Sequence, residues 1–333
     1  KPINADWETY AFGGIQHKES ESGATARAYN NANNVLAIYP NGFLPLINTQ
    51  IVDYNLYGGV KGEAAGIDWD VSVGYGRNVL DYRVTNSLNA SYGAASQQEF
   101  EAGGLKYDQL TLGVDGVRPL EFGLIEPVNL AFGVEYRTER FEVYAGEPAS
   151  YNRGPSAGGG GAQGFPGFSP ANAADEDRNN WSAYVDLEGK LTQGLTVGVA
   201  GRYEDYSDFG DQFTGKVSAR YDFSPAFALR GAVSTGFHAP ALQQQYFSYT
   251  ATNLVTQLIG GLPVTSLIQA GTFRVDDPVA LALGSKPLEP ETSVNYSVGA
   301  VFRSGGFELT IDAYQIELED RIIYSESLGT TRP

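Results

Sequence analysis

The chain has 333 residues, of which 42% are hydrophobic and only 18% charged, and its formal net charge is −17. That acidity excludes a nucleic-acid partner, which needs a basic face. The lack of cysteine excludes disulfides and thiolate metal sites. With 41 Gly, 21 Tyr and 17 Phe, the composition suits strands and turns better than helices.

Read from the N-terminus, "KPINADWETY" has no apolar core segment, so it is not expected to act as a secretory leader. Alternation with period two then predicts about eleven strands. They cover 7–17, 51–61, 67–85, 107–116, 128–143, 181–190, 195–205, 213–223, 227–235, 292–302 and 307–316. In "IDWDVSVGYGR", Trp69, Val71, Val73 and Tyr75 share one face, and Asp68, Asp70, Ser72 and Gly74 the other. In "VNLAFGVEYR", Val128, Leu130, Phe132, Val134 and Tyr136 oppose Asn129, Ala131, Gly133, Glu135 and Arg137. Leu195, Val197, Val199 and Tyr203 likewise oppose Thr196, Gly198, Ala200, Arg202 and Glu204.

A soluble sandwich alternates in the same way. Strand length separates the two cases, because soluble strands centre on about 5–6 residues and tilted membrane strands need about 9–11. Connections also alternate in length. Those at 18–50, 86–106, 144–180 and 236–291 are long, whereas 62–66, 191–194, 224–226 and 303–306 are short. A membrane barrel with tight turns at one end and long loops at the other gives this rhythm; 117–127 and 206–212 fit it least. Aromatic residues gather at strand ends (Tyr203, Tyr206, Tyr221, Phe223, Phe227, Phe237, Phe302, Phe307), as in an interfacial girdle. The most apolar long stretch, 254–271, contains Thr, Gln, Ser, a Gly pair and Pro263, and so fails as a membrane helix.

"RGAVSTGFHAPALQQQYF" (230–247) begins as a strand, and Gly-Phe-His-Ala-Pro after Thr235 reads as the end of its ladder. Within it "STGFHAPALQQQY" resembles a signature of TonB-dependent outer-membrane receptors. "GFPGFSP", "GRYEDYSDFG", "KVSARYDFSPAFALRGAVSTGF", "LEPETSVNYSVGAVF" and "LTIDAYQIELEDRI" resemble other segments of that family in the same order. The motif residues are Gly236, Phe237, His238, Ala239 and Pro240; His238 stands where the family usually has Arg, and Ala241 where it has Ser. The resemblance implies an all-β, antiparallel transmembrane barrel in a Gram-negative outer membrane. Family barrels have about 22 strands, so residues 1–333 are expected to form a single domain holding about half a barrel. No plug domain is evident in the sequence, and its end, "TTRP", lacks the family's terminal aromatic strand.

Several local motifs read blandly. "GGGAQG" (159–164) matches G-x-G-x-x-G without the strand and helix that a dinucleotide site needs. His17 and His238 are too few for a histidine zinc centre. "DEDRNN" (175–180) reads as a solvated charge run at a loop end. Arg202, Lys216, Arg220 and Arg230, with Glu204 and Asp222 among them, fall on the polar face of three consecutive strands, where burial in a dry core would be costly. The resemblance implies that this face lines a lumen and touches the plug.

Two loops are candidates for solute capture through aromatic rings and amides. One carries Tyr151, Arg153, Phe165 and Phe168; the other carries Gln243, Gln244, Tyr246, Phe247 and Tyr249. Packing of these loops on themselves is the competing reading. The resemblance implies active uptake of a scarce solute such as a siderophore, vitamin or saccharide, energised by the TonB complex through the plug, in contact with the lipid and lipopolysaccharide of the outer membrane. It implies no enzyme, cofactor or metal. A passive porin-like channel, a soluble β-rich binding module or adhesin, and a barrel hydrolase using His238 stay open as alternatives.

Overall fold

The computed structural model describes residue 3 and residues 6–325. Strands follow one another as β1 (Trp7–Gly23), β2 (Arg27–Ala28), β3 (Gly42–Phe43), β4 (Leu46–Ala64), β5 (Ile67–Thr85), β6 (Phe100–Leu120), β7 (Val128–Ala145) and β8 (Ala174–Lys190). Then come β9 (Leu195–Tyr206), β10 (Gly210–Ser224), β11 (Phe227–His238), β12 (Tyr249–Ile259), β13 (Leu262–Thr272), β14 (Glu291–Ser304) and β15 (Phe307–Glu319). Eleven of them make one antiparallel sheet in the order β1-β4-β5-β6-β7-β8-β9-β10-β11-β14-β15. The pairs β2–β3 and β12–β13 are separate two-stranded ribbons within loops. No helix among the described residues is long and apolar enough to cross a membrane.

All eleven predicted strands are present, and most are longer than the alternation suggested. β4 starts at Leu46, β6 at Phe100 and β8 at Ala174, while β1 runs on to Gly23. The extensions lie at the long-loop end, where the outward positions stop being apolar. The ladder also survives the motif: Gly236, Phe237 and His238 pair with Ser293, Thr292 and Glu291, so Pro240 rather than Gly236 marks the break. Residues 175–180, expected in a loop, belong to β8. The connection expected at 206–212 shrinks to the three residues between Tyr206 and Gly210. The terminal "TTRP" lies outside the described residues.

The two faces differ as the period-two pattern requires. Long loops fold over one face, called inner here, and bury Phe141, Val143 and Ala174 against Phe168 and Leu242. The opposite face carries the apolar positions and is bare: Val71, Val134, Val199 and Val217 are 46–56% exposed. Trp69, Val71, Leu130 and Val197 are therefore not tucked between two sheets. At the short-turn end the outward rings of Phe223, Phe227 and Phe302 stack at 5.3 and 4.8 Å, with Tyr221 against Phe223 at 4.6 Å. Tyr206 departs from the expected girdle: it is only 6% exposed and hydrogen-bonds to Glu204 on the inner face.

The hairpin between β4 and β5 turns on Ala65 and Gly66, both with positive φ (56° and 71°). That is the mirror-image turn whose twist matches the flanking strands. Elsewhere glycines make room for rings. A Cβ on Gly74 would lie 2.6 Å from the Tyr57 ring, one on Gly116 2.6 Å from Phe132, and one on Gly133 2.5 Å from Tyr184. The Tyr184 hydroxyl, so placed, donates to Asp115 at 2.7 Å. Rings laid over cross-strand glycines pin register in a twisted sheet.

Gly133→Ala is therefore expected to push Tyr184 off Asp115 and destabilise the sheet by about 1–3 kcal/mol, the usual range for overpacking. Gly76→Ala, where the new Cβ meets nothing within 4 Å, should be neutral or slightly stabilising. Thermal unfolding of both variants in detergent checks the contrast.

Candidate functional site

At the long-loop end the inner faces of β5, β6 and β7 present Tyr82, Leu105, Tyr107 and Phe141. Both candidate loops fold onto this platform. Phe165 stacks on Tyr249 at 5.3 Å, Phe168 meets Phe247 edge-on at 6.0 Å, and Tyr82 lies 4.8 Å from Phe165. The Tyr249 hydroxyl donates to the Pro166 carbonyl at 3.2 Å, and burial pushes its phenol pKa upward. Of the residues singled out in the two loops, Phe165, Phe168, Tyr246, Phe247 and Tyr249 are thus brought together, whereas Tyr151, Arg153, Gln243 and Gln244 are not part of this cluster. Phe168 is 2% exposed and acts in packing. Phe165, Tyr246, Phe247 and Tyr151 are half-buried, while Arg153 and Gln244 are exposed. Gln244 accepts from the Ala241 amide at 2.8 Å and so closes the turn after the motif.

Sequence reasoning missed the residue that holds this assembly down. Arg178 on β8 is 6% exposed. Its Nε donates to Glu139 at 2.6 Å, and its Nη1 donates to the carbonyl of Pro240 at 2.6 Å. Asp208 lies 3.6 Å from the same Nη1, and the Tyr206 ring sits 5.4 Å beneath the guanidinium. Tyr107 also donates to Glu139. One buried cation therefore joins β7, β8, the β9–β10 turn and the motif loop. Its signal was parity: Arg178 shares a face with Asn180 and Ser182 once β8 is extended upstream.

A second arginine fixes the far end of the long loop. Arg274 donates to Glu176 of β8 at 3.1 Å and lies 4.8 Å from the Tyr246 ring. The ribbon β12–β13 springs from between these two attachments. On the other flank, loops 24–45, 86–99 and 146–173 are joined through fully buried polar groups. Asn89 donates to the carbonyls of Ala149 and Asn152 at 2.9 and 2.8 Å, and Ser87 donates to the Gln163 carbonyl at 2.7 Å. Arg27 donates to the Gln163 side chain at 2.9 Å.

Below the loops, the inner face carries paired charges. Arg202 bonds Glu204 at 2.7 Å and faces Glu135 at 3.8 Å; Arg220 bonds Asp222 at 2.7 Å, and Arg230 bonds Asp312 at 2.8 Å. Lys216 shares this face without an ion-pair partner among the described residues. At the short-turn end, beside β1, a cavity of about 640 Å³ is lined by Trp7, Trp69 and Lys61 with carboxylates such as Asp70 and Asp115. His238 is exposed and pairs with Glu291 on the neighbouring strand. No group of three or more His, Asp or Glu residues suited to a metal ion occurs among the described residues.

The sequence matches the family described as TonB dependent receptor-like, beta-barrel, over residues 4–333. The chain belongs to that family of transport receptors. It is 24% identical over 268 residues to a probable TonB-dependent siderophore receptor, PirA, of Acinetobacter baumannii, covering 77% of this chain and 32% of that protein. It is 25% identical over 264 residues to the ferric enterobactin receptor PirA of Pseudomonas aeruginosa, covering 76% and 32%. Among solved structures, the siderophore receptor PirA of A. baumannii superposes with a TM-score of 0.57 at 16% identity, over 96% of this chain and 42% of that one. That likeness is one of fold. This barrel chain thus spans about a third of the length of these two curated relatives.

Removing one partner of a buried ion pair costs about 3–5 kcal/mol, because the other charge stays buried. Arg178→Leu should therefore destabilise the receptor by that order and expose the segment after Pro240 to protease. Arg178→Leu combined with Glu139→Leu should cost less than either single change. Melting temperatures and limited proteolysis of the three variants decide.

Proposed function

We propose that this chain is the barrel portion of an outer-membrane receptor that takes up a ferric siderophore with energy from the TonB complex. The observation that carries the reading is the roofed inner face at the long-loop end. Aromatic rings from two loops sit there, and the same two loops carry the exposed Arg153 and Gln244, above a lining of paired charges. Rings and a cation suit an anionic iron chelate, and the two PirA relatives are named as a siderophore receptor and a ferric enterobactin receptor. The long-loop end faces the outside, and the tight turns face the periplasm.

In this reading Tyr151, Arg153, Phe165, Gln244, Tyr246 and Phe247 contact the solute, and Phe168 holds the others in place. Arg202, Glu204, Lys216, Arg220 and Arg230 line the lumen and meet a plug domain, through which TonB acts. No bond is made or broken in the solute, and no cofactor enters. Gly236, Phe237, His238, Ala239 and Pro240 anchor the loop.

Loss of a charged contact to a bound ligand is worth about 1.4 kcal/mol or more, a tenfold change in affinity. Arg153→Ala together with Gln244→Ala should weaken binding of a ferric catecholate by at least that factor, while loss of the Gln244–Ala241 turn bond lowers stability by only about 1 kcal/mol. Fluorescence titration of the full-length receptor measures it. Uptake of radioactive iron that persisted after removal of TonB would replace the active receptor by a passive channel. Unchanged affinity in the double variant would move the solute away from these loops.

A further inference from the structure

The long connection between β11 and β14 carries the ribbon β12–β13, which pairs with no other strand. On the outward face of the main sheet an aromatic step, where Tyr136 lies 4.4 Å from Trp181, marks the upper limit of hydrocarbon. The ribbon stands beyond that step, at the long-loop end. Both of its ends are tied down. The Tyr249 hydroxyl donates to the Pro166 carbonyl at 3.2 Å, and Arg274 donates to Glu176 at 3.1 Å. Between these ties the two strands pair without a bulge, from Tyr249 opposite Thr272 to Ile259 opposite Leu262. At the tip Leu262 is 70% exposed.

Each strand of an isolated ribbon leaves a row of amide and carbonyl groups unpaired along its outer edge. Proteins guard such edges with charge, proline, bulges or cover. β13 carries Pro263, which has no hydrogen to donate. β12, "YTATNLVTQLI", has no Pro, Gly or charged residue. Its Thr, Val, Leu and Ile give it the composition of segments that add readily to another strand. β12 is therefore the open edge of the ribbon, and β13 the guarded one.

Charge decides what the open edge can meet. The chain has a net charge of −17, so two copies repel over most of their surface. From Gly231 to Phe273, however, it has no Asp, Glu, Lys or Arg. Two receptors in one membrane hold this neutral ribbon at the same height, and there they can meet without setting like charges together. The strand also suits itself. Laid antiparallel on its own copy about Leu254, β12 sets Thr252 of each copy opposite Thr256 of the other, and Thr–Thr pairs are favourable across strands. With the far edge guarded, addition closes at a pair rather than running on as a fibre.

We propose that β12 pairs edge to edge with β12 of a second copy of the receptor, joining two barrels through one continuous sheet outside the membrane. The inference rests on the transmembrane reading but not on the solute.

This chain adds no cysteine of its own, so introduced cysteines report proximity in the full-length receptor, kept in outer-membrane vesicles and treated with an oxidant. Leu254→Cys should give a cross-linked dimer, because directly opposed residues of an antiparallel pair lie about 4.5–5.5 Å apart, within reach of a disulfide. Thr25→Cys, in an exposed loop of the other flank, should give no more than the unaltered receptor. Adding Thr252→Lys with Thr256→Lys to Leu254→Cys sets like charges opposite each other and should lower the cross-linked yield about tenfold. Adding Thr252→Lys with Thr256→Glu sets opposite charges there and should keep it. No dimer from Leu254→Cys, an equal yield from Thr25→Cys, or the same yield from both charged variants would overturn the proposal. A synthetic peptide of residues 249–259 that binds a receptor which itself does not cross-link would overturn the second copy in favour of an unrelated extended chain. Should the charged variants not fold, the contrast between the two single-cysteine receptors still decides. An outer-membrane fraction without the receptor would instead refute the transmembrane reading itself.

Discussion

A backbone amide in hydrocarbon has no water to bond, so every strand that crosses lipid must find its partners in the chain. That constraint produces the single eleven-stranded ladder, with in-register pairing from Trp7 opposite Gly62 at one edge to Thr292 opposite Glu319 at the other. Once the ladder is continuous, the pleat sends alternate side chains to opposite faces. The outer face then has to be apolar across the hydrocarbon layer, and the inner face is released from that demand. Arg202, Arg220 and Arg230 sit inside because their carboxylate partners lie two residues along the same strand or on another strand of the ladder. Small residues on this inner face serve the rings that lie over them, so register and lining are specified together.

The loops inherit their order from this frame. A long connection left to itself would hold many conformations, and closing it would cost entropy with no packing to offset the loss. Here the inner face extends past the aromatic step and offers a platform of Tyr82, Tyr107 and Phe141. Rings from 146–173 and 239–249 settle on it. Buried polar groups then fix the arrangement directionally, since a buried donor such as Arg178 or Asn89 is satisfied in one geometry and penalised in others. The exposed Arg153 and Gln244 are carried on segments whose bases are held in this way.

How much of this was legible follows from where the rule of two operates. It operates wherever one face meets lipid, and there the sequence marked the strands and their faces, with Ile67–Thr85 found to the residue. It fails above the aromatic step. Arg77, Asp108 and Arg140 face outward where Val and Leu would lower down, so the alternation of apolar with polar gives way to polar throughout. Strand ends at that level therefore read short in the sequence, and "DEDRNN" reads as a solvated loop end although Arg178 and Asn180 are buried. Tyr206 reads as a girdle residue from its place at a strand end, yet its hydroxyl turns inward to Glu204. The meeting of the two aromatic loops could not be read from spacing, because it depends on side chains some 80 residues apart, such as Tyr249 on Pro166. Likewise Asn89 and Ser87 gave no sign that they join three loops.

The segment that made the family recognisable shows what a sequence signature can encode. Gly236 to His238 complete the ladder with β14, and their pairing is backbone pairing that no particular side chain supplies. Pro240 ends it, since its nitrogen has no hydrogen to donate. That residue is buried, its carbonyl is the acceptor for Arg178, and Leu242 two residues on is 1% exposed in the loop core. His238 stands at the rim, exposed to solvent, so replacing the usual arginine there leaves the anchor intact. The recurring positions thus answer a mechanical need: a strand must stop, turn over the rim and be tied to the wall before a long loop begins.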